Sequence, residues 1–159
     1  MNSPKWGMLS QRAIAALEHS GWTESTIYDI ENDLVELRNR NFEINDAALA
    51  VLRKFGGTSI RIDQGAIRGI VFDVREAFHT LVASDLVRLS DLINEVACPV
   101  GAGAGHVLLV CPSGKTALLH EQWFSLLTCA TMAEMFELVL FNDRAICTDF
   151  GDIEMLRPE

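Results

Sequence analysis

The sequence predicts an α+β fold in a single domain spanning residues 1–159, with N-terminal helices, a mainly antiparallel sheet with inserted helices, and a C-terminal helix. Three observations predict it. Apolar residues recur at helical spacing as far as Phe55. Past Gly56-Gly57 the period changes to strand-like alternation and short apolar runs broken by glycine and proline. The chain has 159 residues, 49% hydrophobic and 22% charged, which suits one globular core and is wrong for a disordered chain.

The first helix is expected to begin at Ser3-Pro4, with serine as cap and proline at the first helical position, and to end at Gly21. Leu9, Ala13, Ile14 and Leu17 form its apolar face. A turn through Trp22 leads to a second helix on the seam Ile27, Ile30, Leu34 and Leu37, with Asp29, Glu31, Asp33 and Glu36 on its other face. A third starts at Asn45 or Asp46 and runs to Phe55 on Ala48, Leu49 and Leu52, where Gly56-Gly57 permits a positive φ.

Ile60 and Ile62 alternate with polar neighbours, so this stretch reads as a strand. Gly65 marks a turn, and residues 67–72 form a second strand with Gly69 as a candidate bulge. Residues 73–83 read as an extended segment entering a short helix. Ser84 is expected to cap a helix carrying Leu86, Leu89, Leu92, Ile93 and Val96, stopped by Pro99. The Gly-Ala-Gly-Ala-Gly run 101–105 reads as a flexible loop. Residues 106–111 and 115–119 form a hairpin about Pro112-Ser113-Gly114. A strand follows at 123–128. Thr131 and Glu134 open a last helix as a capping box, with Met132, Met135, Phe136, Val139 and Leu140 on its apolar stripe. Residues 143–159 form an acidic tail, expected to be partly ordered, with an edge strand at 145–147.

Net charge is −9, and it is concentrated. Residues 24–46 carry seven acids and two bases, as do residues 134–159, while the rest is close to neutral. Such a surface repels phosphate backbones, which argues against direct nucleic-acid binding, and attracts a basic partner. Solubility is the other use of acidic surface. No apolar run approaches the roughly 18 to 20 residues of a membrane span, and Met1 to Gly7 lack an apolar signal core, so a cytoplasmic protein is expected. Cys98, Cys111, Cys129 and Cys147 show no CxxC spacing and read as thiols in a reducing compartment.

Motifs that resemble catalytic signatures fail on position. A dinucleotide fingerprint starting at Gly101 needs glycine at position 106, which is His106, and the run precedes a strand. Ser113-Gly114-Lys115-Thr116 imitates a P-loop, but Leu109 stands where its first glycine belongs. His120-Glu121 lacks the second histidine of a zinc-binding helix, since Phe124 occupies that place. The reading is therefore of no catalytic residues, no metal and no cofactor.

The order of features resembles the SUKH superfamily of bacterial immunity proteins, specifically its third family. The resemblance is carried by Leu17 with Gly21-Trp22 at the first helix end, the Phe55-Gly56-Gly57 corner, and Phe72-Asp73 followed by Ala77. It continues through Pro99-Val100-Gly101, the hairpin Leu108-Leu109-Val110 with Ser113-Gly114-Lys115, and the helix from Thr131 to Leu140. Val139-Leu140-Phe141-Asn142 departs from the leucine pair and closing glycine of that pattern, and the tail runs longer. The resemblance implies a protein that neutralises a cognate toxin domain by binding it. Such toxins are commonly nucleases or nucleic-acid-modifying enzymes, whose basic clefts suit an acidic inhibitor. The superfamily also contains scaffolds and regulators with no toxin partner, which is the alternative reading. A small-molecule enzyme with a cleft near residues 101–105 is the remaining one. On charge, the toxin-binding candidates are Asp29, Glu31, Asp33, Glu36 and Glu43, with Asp149, Asp152 and Glu154 as a second patch. Gly21, Trp22, Phe55, Gly56, Gly57, Pro99, Gly101 and Gly114 are expected to be structural. Nothing in the sequence fixes an oligomeric state.

Overall fold

A computed structural model describes residues 6–61, 69–103 and 105–157. The helices are α1 (Gln11–His19), α2 (Glu31–Asn39), α3 (Asp46–Phe55), α4 (Val74–Ala77), α5 (Ala83–Ile93) and α6 (Met132–Phe141). The strands are β1 (Ser59–Arg61), β2 (Gly69–Val71), β3 (Cys98–Gly103), β4 (His106–Val110), β5 (Thr116–His120), β6 (Leu126–Cys129) and β7 (Thr148–Asp149). All seven strands pair antiparallel in sequence order, so the α+β expectation holds, as a meander with helices inserted.

Local chemistry sets the helix ends. Asn45 caps α3 by accepting from the Ala48 N–H at 2.8 Å. α1 begins later than expected: Ser10 is its cap, accepting from Ala13 N–H, and the Ser3-Pro4 start lies outside the described residues. At its end Gly21 takes φ +95°. The Gly21 and Trp22 N–H groups reach the Glu18 and Leu17 carbonyls, a Schellman closure. α2 ends the same way on Asn41, φ +62°. α6 opens on Thr131, which accepts from Glu134 N–H. The Glu134 carboxylate returns to Ala130 N–H, one residue before the position the capping box predicts.

Three expectations are corrected. The second helix does not begin at Ile27, which is 83% exposed; α2 starts at Glu31, and its buried positions include Ile30 before it, Asp33 and Leu37. Ser84 does not cap α5: the helix starts at Ala83, and Asp85 accepts from the Val82 N–H at 3.0 Å. Asn94, at φ +63°, ends it before Pro99 is reached.

The third correction concerns the glycine run. Residues 98–103 are not a loop but the strand β3, inside the sheet between β2 and β4. Glycine is needed there for space. A Cβ on Gly103 would lie 1.8 Å from the Gly69 carbonyl oxygen, and one on Gly101 would lie 2.3 Å from that of Val71. The β-bulge of the sheet falls between Pro99 and Gly101, whereas Gly69 sits in regular register opposite Arg61.

The strands β4, β5 and β6 are buried at nearly every consecutive position, so both faces of the sheet are covered. On one face α3 and α6 adjoin through the Phe55 and Phe136 rings, 5.1 Å apart, with Phe72 5.6 Å from Phe55. α5 buries Leu86, Leu89 and Ile93. It is fixed by Glu95 accepting from Ser113 at the β4–β5 turn and by Arg88 donating to the Leu156 carbonyl. Beyond α6 the expected edge strand lies at Thr148–Asp149 rather than 145–147, with short 3-10 turns at Arg144–Ile146 and Glu154–Leu156. Phe150 N–H to Leu126 O and Ile153 N–H to Trp123 O hold this segment to the sheet.

Candidate functional site

The acidic candidates separate into two groups at different places on the fold. Asp29 lies in the turn before α2 and accepts from the Glu31 N–H at 3.0 Å, an arrangement that starts the helix. Asp29 and Asp33 therefore do not share a helix face as the spacing suggested. Glu31 is exposed in the first turn, Glu36 is half-buried, and Glu43 is exposed in the α2–α3 link. α2 packs on α4, and α4 on β3. Asp149, Asp152 and Glu154 are exposed on and just after β7, which lies four strands beyond β3, or about 19 Å across the ladder. Asp149 accepts from Gly151 N–H and Asp152 from Glu154 N–H.

Three ion pairs occur among the described residues: Arg12 with Glu137, Arg75 with Asp73, and Lys115 with Glu95. None uses any of the eight candidate carboxylates.

Asp33 is the exception within the first group. It is 4% exposed, so it does not belong to the exterior face assigned to it, and its Oδ2 has no hydrogen-bond partner among the described residues. Burial pushes its carboxyl above the usual aspartate value. Asp73 and Asp29 add to the rise, and Arg75 opposes it. Asp73 itself feels burial most strongly, but its two hydrogen bonds from the Arg75 guanidinium and one from the Arg75 N–H bring its carboxyl net below the ordinary range. Burial also raises Tyr28, with Asp33 and Asp73 adding to the shift. Sequence reasoning missed this junction of Tyr28, Asp29, Asp33, Asp73 and Arg75, because its members come from two stretches forty residues apart.

The structural candidates converge. Trp22 stacks on Phe55 at 5.7 Å and donates its indole N–H to the Lys54 carbonyl at 2.9 Å. Gly57 takes φ +76°, and a Cβ on Gly56 would meet the Tyr28 ring at 2.2 Å. Gly21, Trp22, Tyr28, Gly56, Gly57 and Thr58 line an open cleft of about 410 Å³. Among the described residues that line it, Tyr28 alone is ionisable. A second groove of about 350 Å³ carries Trp6, Ile27, Arg53 and Lys54. Pro99 and Gly101 are buried in β3, and Gly114 turns the hairpin at φ +95°. Among the described residues no three His, Cys, Asp or Glu side chains converge as metal ligands, and no helix is long and apolar enough to cross a membrane.

A family model of the SUKH-3 immunity proteins matches residues 9–130. The chain belongs to the SUKH-3 immunity protein family. The match runs from the α1 entry through β6, and so contains the Trp22–Phe55–Gly57 corner, the glycine strand and the central hairpin. It stops before α6 and the tail, where the sequence departs from the family pattern. No curated protein and no solved structure matches the chain.

Proposed function

We propose that this SUKH-3 immunity protein acts without catalysis, by binding a cognate toxin domain in the cytoplasm of the producing cell and blocking it, and that the toxin is basic, a nuclease or another nucleic-acid-modifying domain. The family match over residues 9–130 carries the immunity role. The basic partner is supported by the seven exposed or half-buried candidate acids, none of them in an ion pair among the described residues. Carboxylates left unpaired on a chain of net charge −9 repel one another, and a cationic surface relieves that repulsion. A nucleic-acid enzyme supplies such a surface in its phosphate-binding cleft.

Within this reading Asp29, Glu31, Glu36 and Glu43 form the first contact group and Asp149, Asp152 and Glu154 the second. Asp33 acts from beneath the first group. An ordinary one-to-one interface would bury about 1,600 Å² in total.

The test is co-expression. The C-terminal toxin domain encoded beside this gene should arrest growth when expressed alone, and this chain should restore it. Continued arrest with the immunity protein abundant and soluble would sink the reading.

A further inference from the structure

The β6–β7 register places two of the four cysteines against each other. Leu127 pairs with Asp149 and Thr128 with Thr148, and continuing that register one step beyond β7 sets Cys147, which closes the Arg144–Ile146 turn, opposite Cys129. The type of pair follows from one hydrogen bond. Phe150 N–H donates to Leu126 O at 2.9 Å, which makes 126/150 a hydrogen-bonded pair. Antiparallel pairs alternate, so 128/148 is hydrogen-bonded, while 127/149 and 129/147 are not. Consistent with this, the Cys147 N–H turns away from β6 to the Arg144 carbonyl. Cα atoms of a non-hydrogen-bonded pair stand about 4.5 Å apart with both side chains on one face, inside the roughly 4.4–6.8 Å range of disulfides.

Access differs between the two. Cys129 is 3% exposed, while Cys147 is half-buried at the sheet edge, its thiol donating to Arg144 O at 3.2 Å. Burial pushes the Cys129 thiol up to about 12, with the neighbouring Cys147 adding to the rise, and burial raises Cys147 as well. The other two cysteines lack this arrangement. Cys98 sits opposite Val110 and Cys111 lies just past the end of β4, and burial pushes both thiols up to about 12, as it does Cys129.

We propose that Cys129 and Cys147 form an oxidation site, a dithiol that closes to a cross-strand disulfide when it meets a small disulfide oxidant and so clips the β7 edge to β6. In the first step the Cys147 thiolate attacks one sulfur of the oxidant. The oxidant's S–S bond breaks and one thiolate leaves. In the second step the Cys129 thiolate attacks Cys147 Sγ, forming the protein S–S bond and expelling the other half of the oxidant as thiolate. Two electrons and two protons pass from the protein to the oxidant, which ends as two thiols. The half-buried thiol reacts first and the covered one resolves it, in the order their exposure dictates. Closure fixes the start of the segment carrying Asp149, Asp152 and Glu154. Cys147 lies outside the family-matched residues 9–130, so the clip is a property of this chain's own tail.

The whole chain is treated with oxidised glutathione, and free thiols are counted after denaturation. Four should fall to two, peptide mapping should join the Cys129 and Cys147 peptides, and Cys147→Ser should keep its three remaining thiols free under the same exposure. The closed form should melt roughly 5–10 °C higher than the reduced form, reversibly with dithiothreitol. Four persistent thiols, a link through Cys98 or Cys111, a stable glutathione adduct on Cys147, or a closed form that melts no higher would each overturn the proposal.

Discussion

Asp33 stands where the helical period would put a leucine. Its carboxylate is buried and also feels the charge of Asp73, with one oxygen unpartnered among the described residues, so its folded pKa lies above the ordinary 3.8. A raised acid binds more protons folded than unfolded. Stability therefore falls as pH rises from near 3.8 through the raised folded value, and the loss is complete above it. Asp33→Asn removes that charge and offers an amide N–H to the neighbouring Asp73. The variant should gain about 1 kcal/mol at pH 7 and lose the wild type's decline over that window, read by urea denaturation across pH. A variant less stable at pH 7, with the pH slope unchanged, contradicts the assignment. The neighbouring Asp73 works in the opposite sense. Its pKa is lowered, so its pairing with Arg75 contributes stability above the unfolded value, which is lost as pH falls through the folded one.

At the scale of elements, β3 decides whether the sheet closes. Gly101 and Gly103 let the backbone of β2 approach more closely than any side chain allows. Gly103→Ala should cost more than about 3 kcal/mol, because its Cβ meets a backbone oxygen that cannot move without parting two strands. Gly105→Ala has open space around its Cβ and should cost less, limited to backbone strain at φ +81°. Comparable midpoints in thermal denaturation for the two variants would contradict the close-approach account. This strand also shows where sequence reading stops. Caps and turns were legible because the chemistry that makes them is local: Asn45 before α3, Gly21 after α1, Gly114 in the hairpin. The buried run of β4 was legible from composition alone. β3 was not, because Gly-Ala repeats read as flexibility unless the neighbouring strand is known. The start of α2 was misplaced for a related reason. Ile27 fits the period, but the Asp29 side chain makes the turn that starts the helix two residues later.

At the scale of the molecule, the meander buries its central strands and leaves its acids outside, Asp33 and Asp85 excepted. That division separates stability from recognition. The Phe55, Phe72 and Phe136 rings hold the core, while Glu31 and Glu36 touch little of it. Changes in α2's exposed charges should therefore leave the fold intact and alter only encounter with a partner. The family was legible in the ordered set of motifs from Leu17 to Lys115. The division of the acids was not, since the burial of Asp33 and the distance of β7 from α2 depend on the assembled sheet. The measurement that tests the central claim most directly is the association rate constant with the toxin domain as a function of salt, for wild type and for Glu31→Lys/Glu36→Lys. The wild-type rate should fall steeply with added salt, and the double variant should associate roughly tenfold more slowly at low ionic strength, with the two converging as salt rises. A wild-type rate indifferent to salt and equal to that of the variant would contradict recognition through the acidic exterior.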